Sequence, residues 1–106
     1  MTVQDLTSVE AFRELIKSDK LVIVYAWTPQ TEDQGMFEIV EGMSQDYTDA
    51  IFAKVNADAV HDIFYEVSDQ ILPTFLFYKN GQKVDEVRDD KDSSQVDGKI
   101  KEHLAQ

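Results

Sequence analysis

The sequence predicts an α/β fold, with a mixed central β-sheet of four to five strands flanked by about four helices. The segment Leu21–Trp27 is apolar throughout and rich in β-branched residues, which is typical of a central strand covered on both faces. Strand-like and helical segments alternate up to Pro73, an order that favours strands joined by helices. Asn80-Gly81 then separates two further strand-like segments, and this dipeptide predicts a hairpin because such a turn needs positive φ at both central residues.

The remaining elements follow from apolar spacing and from capping residues. Val3–Leu6 predicts a short edge strand, and Thr7 with Glu10 predicts a capping box at the start of the first helix. The other predicted elements are a helix with Met36, Val40, Met43 and Tyr47 inward, a strand at 51–55, a short helix over 60–67, strands at 74–78 and 84–87, and a last helix with Val96, Ile100 and Leu104 inward. A chain of this length predicts one domain, residues 1–106.

The composition excludes several classes of function. The 106 residues carry a formal net charge of -11, so the chain repels phosphates and nucleic acid is not an expected partner. The apolar segments are too short to cross a bilayer, and the first residues lack the pattern of a signal peptide. We therefore expect no membrane partner and a cytoplasmic location. No cysteine is present, which excludes disulfides, thiol catalysis and thiolate metal sites.

Short segments along almost the whole chain resemble those of a known family. Trp27-Thr28-Pro29 ends the central strand, Leu72-Pro73-Thr74 precedes a later strand, and Phe77–Gly81 enters the hairpin. These segments resemble the W-A-x, I-P-T and F-x-N-G signatures of the thioredoxin family, the last with one extra residue. Asp19–Val24 and Phe52–Asp58 resemble two of the family's strands. The resemblance implies the thioredoxin fold.

The same alignment shows that the family's reactive residues are replaced. The family's W-C-G-P-C segment corresponds here to Gln30, Thr31, Glu32, Asp33 and Gln34. Thr31 stands at the nucleophilic cysteine and Gln34 at the resolving cysteine. A second alignment, which needs more gaps, places Thr28 and Thr31 at the cysteines. Both alignments lose both thiols, so the resemblance implies no catalytic residue and no disulfide exchange.

Thr31 is better interpreted as a structural residue. A threonine hydroxyl is a poor nucleophile without an adjacent base, and neither histidine nor lysine lies nearby in the sequence. Thr31 and Gln34 instead have the spacing of a capping box, which predicts that Thr31 accepts a hydrogen bond from the Gln34 amide. Glu32 and Asp33 would then stabilise the positive end of the helix dipole.

The resemblance also implies a groove that binds an extended peptide. Pro73 corresponds to the family's cis-proline, beside which substrates bind, although it could equally serve only to shape the strand entry. Two family glycines are replaced by Ile71 and Arg88, which add bulk and charge. The implied groove residues are Trp27, Thr31, Ile71, Leu72, Pro73 and Arg88. Tyr25 replaces the family's buried acidic residue and is interpreted as a packing residue, and Lys54 as an exposed or snorkelling side chain.

The other polar candidates carry little weight. His61 and His103 are expected to be solvated. Asp89, Asp90 and Asp92 could hold a hard cation, but they lack the glycine and glutamate of a calcium loop and are interpreted as a charged loop. We therefore expect neither a metal nor a cofactor.

Three functions remain compatible with the sequence. The first is a redox-inactive thioredoxin-like domain, not an enzyme, that binds or regulates a protein through the degenerate active-site groove. The second is membership of an oxidoreductase lineage involved in cell redox homeostasis. The third is a holdase-type chaperone. The sequence indicates neither the partner's identity nor the oligomeric state.

Overall fold

Five strands form one mixed sheet in the computed structural model, which describes residues 3–88 and 93–106. The strands are β1 (Val3–Leu6), β2 (Leu21–Trp27), β3 (Ala50–Asn56), β4 (Thr74–Lys79) and β5 (Gln82–Arg88). Their spatial order is β1-β3-β2-β4-β5. β1 and β2 both run parallel to β3, whereas β4 is antiparallel to β2 and to β5. The predicted mixed sheet, with β1 at one edge and a β4–β5 hairpin at the other, is confirmed.

Helices cover both faces of this sheet. The described residues contain α1 (Val9–Leu15), α2 (Gln34–Asp46) and α3 (Ser94–Leu104), with shorter 3-10 helices at Pro29–Thr31, His61–Glu66 and Ser68–Gln70. The helix predicted over 60–67 is therefore a 3-10 helix. Its backbone bonds span three residues, as from the Val67 amide to the Phe64 carbonyl at 3.3 Å.

Two apolar clusters form the core, one on each face. The α2–α3 face contains Met36, Val40, Val96 and Ile100 with Tyr25 and Phe75 from the sheet. The α1 face contains Phe12 and Ile63 with Val24, Leu76 and Tyr78. Every residue of β2 from Leu21 to Ala26 is buried, as expected of a strand covered on both sides.

Two predictions for α3 are wrong. Leu104, the last residue of the helix, stays 36% exposed and does not continue the inner face. His103 is not solvated: its ring lies 5.9 Å from the Phe77 ring, and its Nε2 lies 2.9 Å from Asp85 Oδ2. The aromatic ring of His103 thus takes the inward position in the last turn.

The turns show how local chemistry fixes the ends of the elements. Ser8, and not Thr7 as predicted, caps α1, because Ser8 directly precedes Val9 and its Oγ accepts the Ala11 amide at 3.1 Å. The predicted hairpin is confirmed, with φ of 54° at Asn80 and 82° at Gly81.

Within the described ranges, no helix combines the length and apolarity needed to span a membrane. Asp89, Asp90 and Asp92, predicted to lie in a charged loop, fall outside the described residues.

Candidate functional site

The candidate site lies where β2 ends and β4 begins. Ala26 and Thr74 form the last residue pair between these strands, and Thr74 also pairs with Arg88 of β5. Trp27 and Pro73 each lie one residue beyond that pair. The Leu72–Pro73 peptide bond is cis, as the resemblance implied. The sheet therefore brings Trp27, Pro73 and Arg88 to one end, although they lie far apart in sequence.

The loop between β2 and α2 is closed by its own two threonines. Pro29 opens the 3-10 helix Pro29–Thr31, and proline suits this first position because it has no amide hydrogen to satisfy. Thr31 Oγ1 accepts a hydrogen bond from the Thr28 amide at 2.9 Å and donates one to the Thr28 carbonyl at 3.1 Å. The Thr31 amide also donates to the Thr28 carbonyl, at 2.9 Å. The hydroxyl at the position of the family's nucleophile is thus used to hold the turn.

Helix α2 is capped by Asp33, so the predicted capping box of Thr31 and Gln34 is wrong. Asp33 Oδ1 accepts the Met36 amide at 3.1 Å, and Gln34 is the first helical residue. The physical reason is that the 3-10 helix already occupies Thr31, and the helix then begins two residues later at a better capping carboxylate. Glu32 and Asp33 remain exposed at the helix start, together with Gln30 on the loop.

Tyr25 lies beneath this loop in the α2–α3 face. Its ring packs 4.7 Å from Phe75 and 6.0 Å from Phe37. Burial, and then the negative charge of Asp33, raise the pKa of Tyr25 to about 12. The phenol therefore stays protonated over the range in which the family's buried acid would exchange protons. Its hydroxyl is buried and meets no hydrogen-bond partner in the described part of the chain.

Trp27 continues the same aromatic layer towards the surface. Its ring lies 5.1 Å from Phe37 in an edge-to-face arrangement, and the side chain is half-buried. The indole Nε1 is buried and unpaired within residues 3–88 and 93–106. Lys54 snorkels along this layer, with its Nζ 4.5 Å from the centre of the Phe37 ring. A shallow surface groove beside Lys54 is lined by Gln34, Phe37, Glu38 and Glu41.

The segment before β4 supplies the other side of the site. Ile71 is 42% exposed, whereas Leu72 packs against the cluster on the α1 face. Trp27 packs against the cluster on the opposite face. Thr74 is fully buried, and its hydroxyl donates to the Ile71 carbonyl. Arg88 Nη1 lies 2.9 Å from Asp69 Oδ2, which turns that guanidinium towards the 3-10 helix Ser68–Gln70.

Sequence reasoning missed Asp33 as the cap of α2, and it missed the structural roles of Thr28 and Asp85. Asp33 was detectable, since it stands three residues before Met36, where the helical apolar spacing begins. Thr28 followed by Pro29 is likewise a recognisable helix start. The contact of Asp85 with His103 joins residues 18 positions apart, and no local pattern predicts it. No group of three or more potential metal-ligating side chains gathers in the regions the structure covers.

Comparison with known proteins gives a consistent result. The family model described as Thioredoxin matches residues 3–102. Thioredoxin of Coprinus comatus is 34% identical over 88 residues, covering 80% of this chain and 83% of that protein. Glutaredoxin-3 of Mus musculus is 30% identical over 110 residues, covering 99% of this chain but only 32% of that protein.

Solved structures agree with these relatives. The crystal structure of Malassezia sympodialis thioredoxin superposes with a TM-score of 0.83 and 31% identity, covering 97% of this chain and 94% of that chain. Plasmodium falciparum thioredoxin gives a TM-score of 0.82 and 30% identity, covering 93% of this chain and 98% of that chain. With the family match, the sheet order and the cis-proline all in agreement, this chain belongs to the thioredoxin family.

Proposed function

We propose that this chain is a redox-inactive thioredoxin-like domain that binds an extended segment of a partner protein at the end of β2 and β4. The observation that carries the proposal is that the β2–α2 loop has no thiol and that its Thr31 hydroxyl is already hydrogen-bonded within the loop. The chain has no cysteine, and the hydroxyl of Thr31 is committed to the Thr28 turn at 2.9 and 3.1 Å. Disulfide exchange requires a thiolate, so what this end of the fold retains is a surface for recognition.

The side chains at this end support peptide binding. Ile71 is exposed beside Pro73, and Trp27 is half-buried across the strand ends. Tryptophan and a neighbouring aliphatic side chain are typical anchors of a binding surface. An extended segment would pair with backbone near Pro73, in the mode by which peptides add to strands.

The charge around the strand ends favours a basic partner. Glu32 and Asp33 are exposed on the β2–α2 loop, and Asp58 is exposed just after β3. The Ala57 amide donates to the Trp27 carbonyl at 2.8 Å, so Asp58 directly follows a residue that is bonded to the end of β2. Lysine or arginine in the bound segment would complement these charges and speed association at low salt.

Site-specific photo-crosslinking tests the proposal. A benzoylphenylalanine placed at Ile71 should capture a partner, whereas the same probe at Val84 should not. The two positions are equally exposed, at 42% each, but Val84 lies towards the hairpin end of the sheet. Capture at Ile71 should decrease when Trp27 is replaced by alanine and the variant is still folded. Equal capture at both positions, or capture that persists in Trp27→Ala, would contradict the proposal.

The oxidoreductase lineage of its relatives provides a separate test. We expect the unmodified chain to reduce insulin no faster than dithiothreitol alone, and turnover above that rate would contradict the redox-inactive assignment. The variant Thr31→Cys with Gln34→Cys should gain some activity if the scaffold still supports the chemistry. Its reaction should be slow, because Glu32 and Asp33 stand between the two introduced cysteines in the sequence. Their negative charges disfavour formation of a thiolate.

A further inference from the structure

The turn that leads into the candidate site has a strained backbone. Asp69 and Gln70 have φ of 56° and 55°, and in the described ranges no other two consecutive non-glycine residues lie in the left-handed region. Each such residue pays a steric cost, because its Cβ comes close to a carbonyl oxygen. Aspartate tolerates this conformation better than glutamine does. The turn therefore needs contacts from outside itself to persist.

Glu86 of β5 supplies the first of these contacts. Its Oε2 accepts the Ser68 amide at 3.0 Å, and its Oε1 accepts the Ser68 hydroxyl at 2.8 Å and is also bonded by Lys83 Nζ. Burial alone would raise the pKa of Glu86, but the bonds from Lys83 and Ser68 lower it overall, so the carboxylate is charged at neutral pH. Its side chain is only 12% exposed. Hydrogen bonds to a sheltered, charged carboxylate are strong ones.

Arg88, two residues further along β5, supplies the second contact. Its Nη1 lies 2.9 Å from Asp69 Oδ2, which belongs to the first left-handed residue. These two side chains are 42% and 77% exposed, so their ion pair is screened by solvent and contributes less than Glu86 does. We call the two contacts, from Glu86 to Ser68 and from Arg88 to Asp69, the β5 clamp.

The turn held in this way ends at Ile71, the exposed aliphatic residue of the candidate site. The Ile71 amide donates to the Ser68 carbonyl at 3.4 Å, and the Ile71 carbonyl accepts the hydroxyl of the buried Thr74. Before the turn, Val67 is buried in the cluster on the α1 face. Ile71 therefore stands between a clamped turn and the fixed start of β4, with 42% of its surface still exposed.

We propose that the β5 clamp presents Ile71 and Pro73 to the bound segment in a fixed arrangement, which makes Glu86 and Arg88 positioning residues of the binding surface. The inference rests on the proposed function. Strained backbone that is held by its surroundings is a recurrent feature of ligand-binding sites. A partner that meets an ordered turn does not have to order it on binding, and ordering the backbone of one residue costs about fivefold to thirtyfold in affinity.

Electron paramagnetic resonance tests the clamp in the free protein. Because the chain has no cysteine, Ile71→Cys can carry a single nitroxide label. We expect an ordered label in the otherwise unchanged chain. In Glu86→Ala its mobile component should increase about tenfold or more, the effect of losing hydrogen bonds to a charged group. Arg88→Ala should give a smaller increase. A nitroxide at Ile39, which is 37% exposed on α2, is the matched control and should not change.

Further variants separate positioning from a general loss of stability. Adding Gln70→Asn to Glu86→Ala should reduce the mobile component, because asparagine tolerates the left-handed region, whereas adding Gln70→Ala should not. Ser8→Ala removes the cap of α1 and lowers stability, but the label at Ile71 should stay ordered. Ser68→Ala, which removes only the hydroxyl bond, is the milder variant if Glu86→Ala fails to fold. A label that stays ordered without the clamp, or that loosens equally in Ser8→Ala, would overturn the inference.

Photo-crosslinking separates this inference from the proposed function. Capture by benzoylphenylalanine at Ile71 should decrease about fivefold to thirtyfold in Glu86→Ala. If the probe captures nothing in the otherwise unchanged chain, the proposed function fails, and the order of the nitroxide still decides whether the clamp exists. If the nitroxide loosens in Glu86→Ala while capture is unchanged, the clamp does not position the binding surface and the inference is wrong.

Discussion

Tyr25 and Tyr78 are equally buried, each with 1% of its surface exposed, and they lie on opposite faces of the sheet. They differ in whether the hydroxyl makes a hydrogen bond. On the α1 face, the Tyr78 hydroxyl donates to Glu66 Oε1 at 2.6 Å. On the α2–α3 face, the Tyr25 hydroxyl meets no partner among the residues the structure describes. Burial raises the pKa of both phenols, aided by Glu66 in one case and by Asp33 in the other.

The Tyr78 hydroxyl therefore stabilises the fold, whereas the Tyr25 hydroxyl, near the candidate site, is buried without a hydrogen bond among the described residues. A buried hydroxyl is costly unless it is hydrogen-bonded, so Tyr78 is compensated and Tyr25 is not. The other unpaired buried side-chain atom of the described residues is Trp27 Nε1, and the Trp27 ring packs against the same Phe37 ring as Tyr25 does. Among the residues that the structure describes, only this aromatic layer on the α2–α3 face has buried side-chain donors left without a hydrogen bond.

The largest effect is expected from Tyr78→Phe. This change removes a hydrogen bond to a carboxylate, and we expect the free energy of unfolding to fall by about 2 kcal/mol. Urea denaturation measures it, with Glu66→Gln as a partner variant that keeps an acceptor and should cost less. A change below about 0.5 kcal/mol would mean that the Tyr78–Glu66 bond is not compensating the buried hydroxyl.

Removing the cap of α2 should have the next largest effect. Asp33→Ala deletes the acceptor of the Met36 amide, and we expect a loss of about 1 kcal/mol in the free energy of unfolding. Glu32→Ala is the matched control, because Glu32 is an exposed neighbour that is not the cap. If the two variants lose equal stability, the assignment of the cap to Asp33 is wrong.

Tyr25→Phe should behave in the opposite sense to Tyr78→Phe. It removes an unpaired buried hydroxyl and leaves the ring packing intact, so we expect the protein to be unchanged or stabilised by up to about 1 kcal/mol. The same urea experiment measures the difference. A loss comparable to that of Tyr78→Phe would show that the Tyr25 hydroxyl has a partner after all.

The last prediction concerns alkaline pH. Since burial and Asp33 raise the folded-state pKa of Tyr25 to about 12, the protonated phenol contributes stability below its ordinary pKa of about 10, and this is lost as pH rises towards 12. The urea midpoint should therefore decrease less between about pH 9 and about pH 11 in Tyr25→Phe than in the wild-type chain. Equal decreases would show that Tyr25 is not the group responsible, since Tyr47 and Tyr78, whose pKa values are also raised, are unchanged in both proteins.

The sequence predicted the sheet well because its signals are strong and local. The apolar segment of β2 and the Asn80-Gly81 turn each determine their own structure, and the family resemblance supplied the cis-proline. The ends of the helices were less predictable. Thr7 and Ser8 are both suitable caps, and Ser8 is the cap because the helix begins at Val9, the next residue. At the site, Thr31 was assigned to the wrong turn because two overlapping capping patterns compete there. The Asp85–His103 contact depends on tertiary packing alone.

Fluorescence of the single tryptophan tests the central claim most directly. A synthetic peptide copied from the segment crosslinked at Ile71 should shift the emission of Trp27 saturably, with an affinity that weakens as salt is raised. The shift should persist in Val84→Ala and be reduced in Ile71→Ala, at equal folding stability. A peptide that binds, as measured by calorimetry, without changing the emission of Trp27 would contradict the placement of the binding surface at the end of β2 and β4.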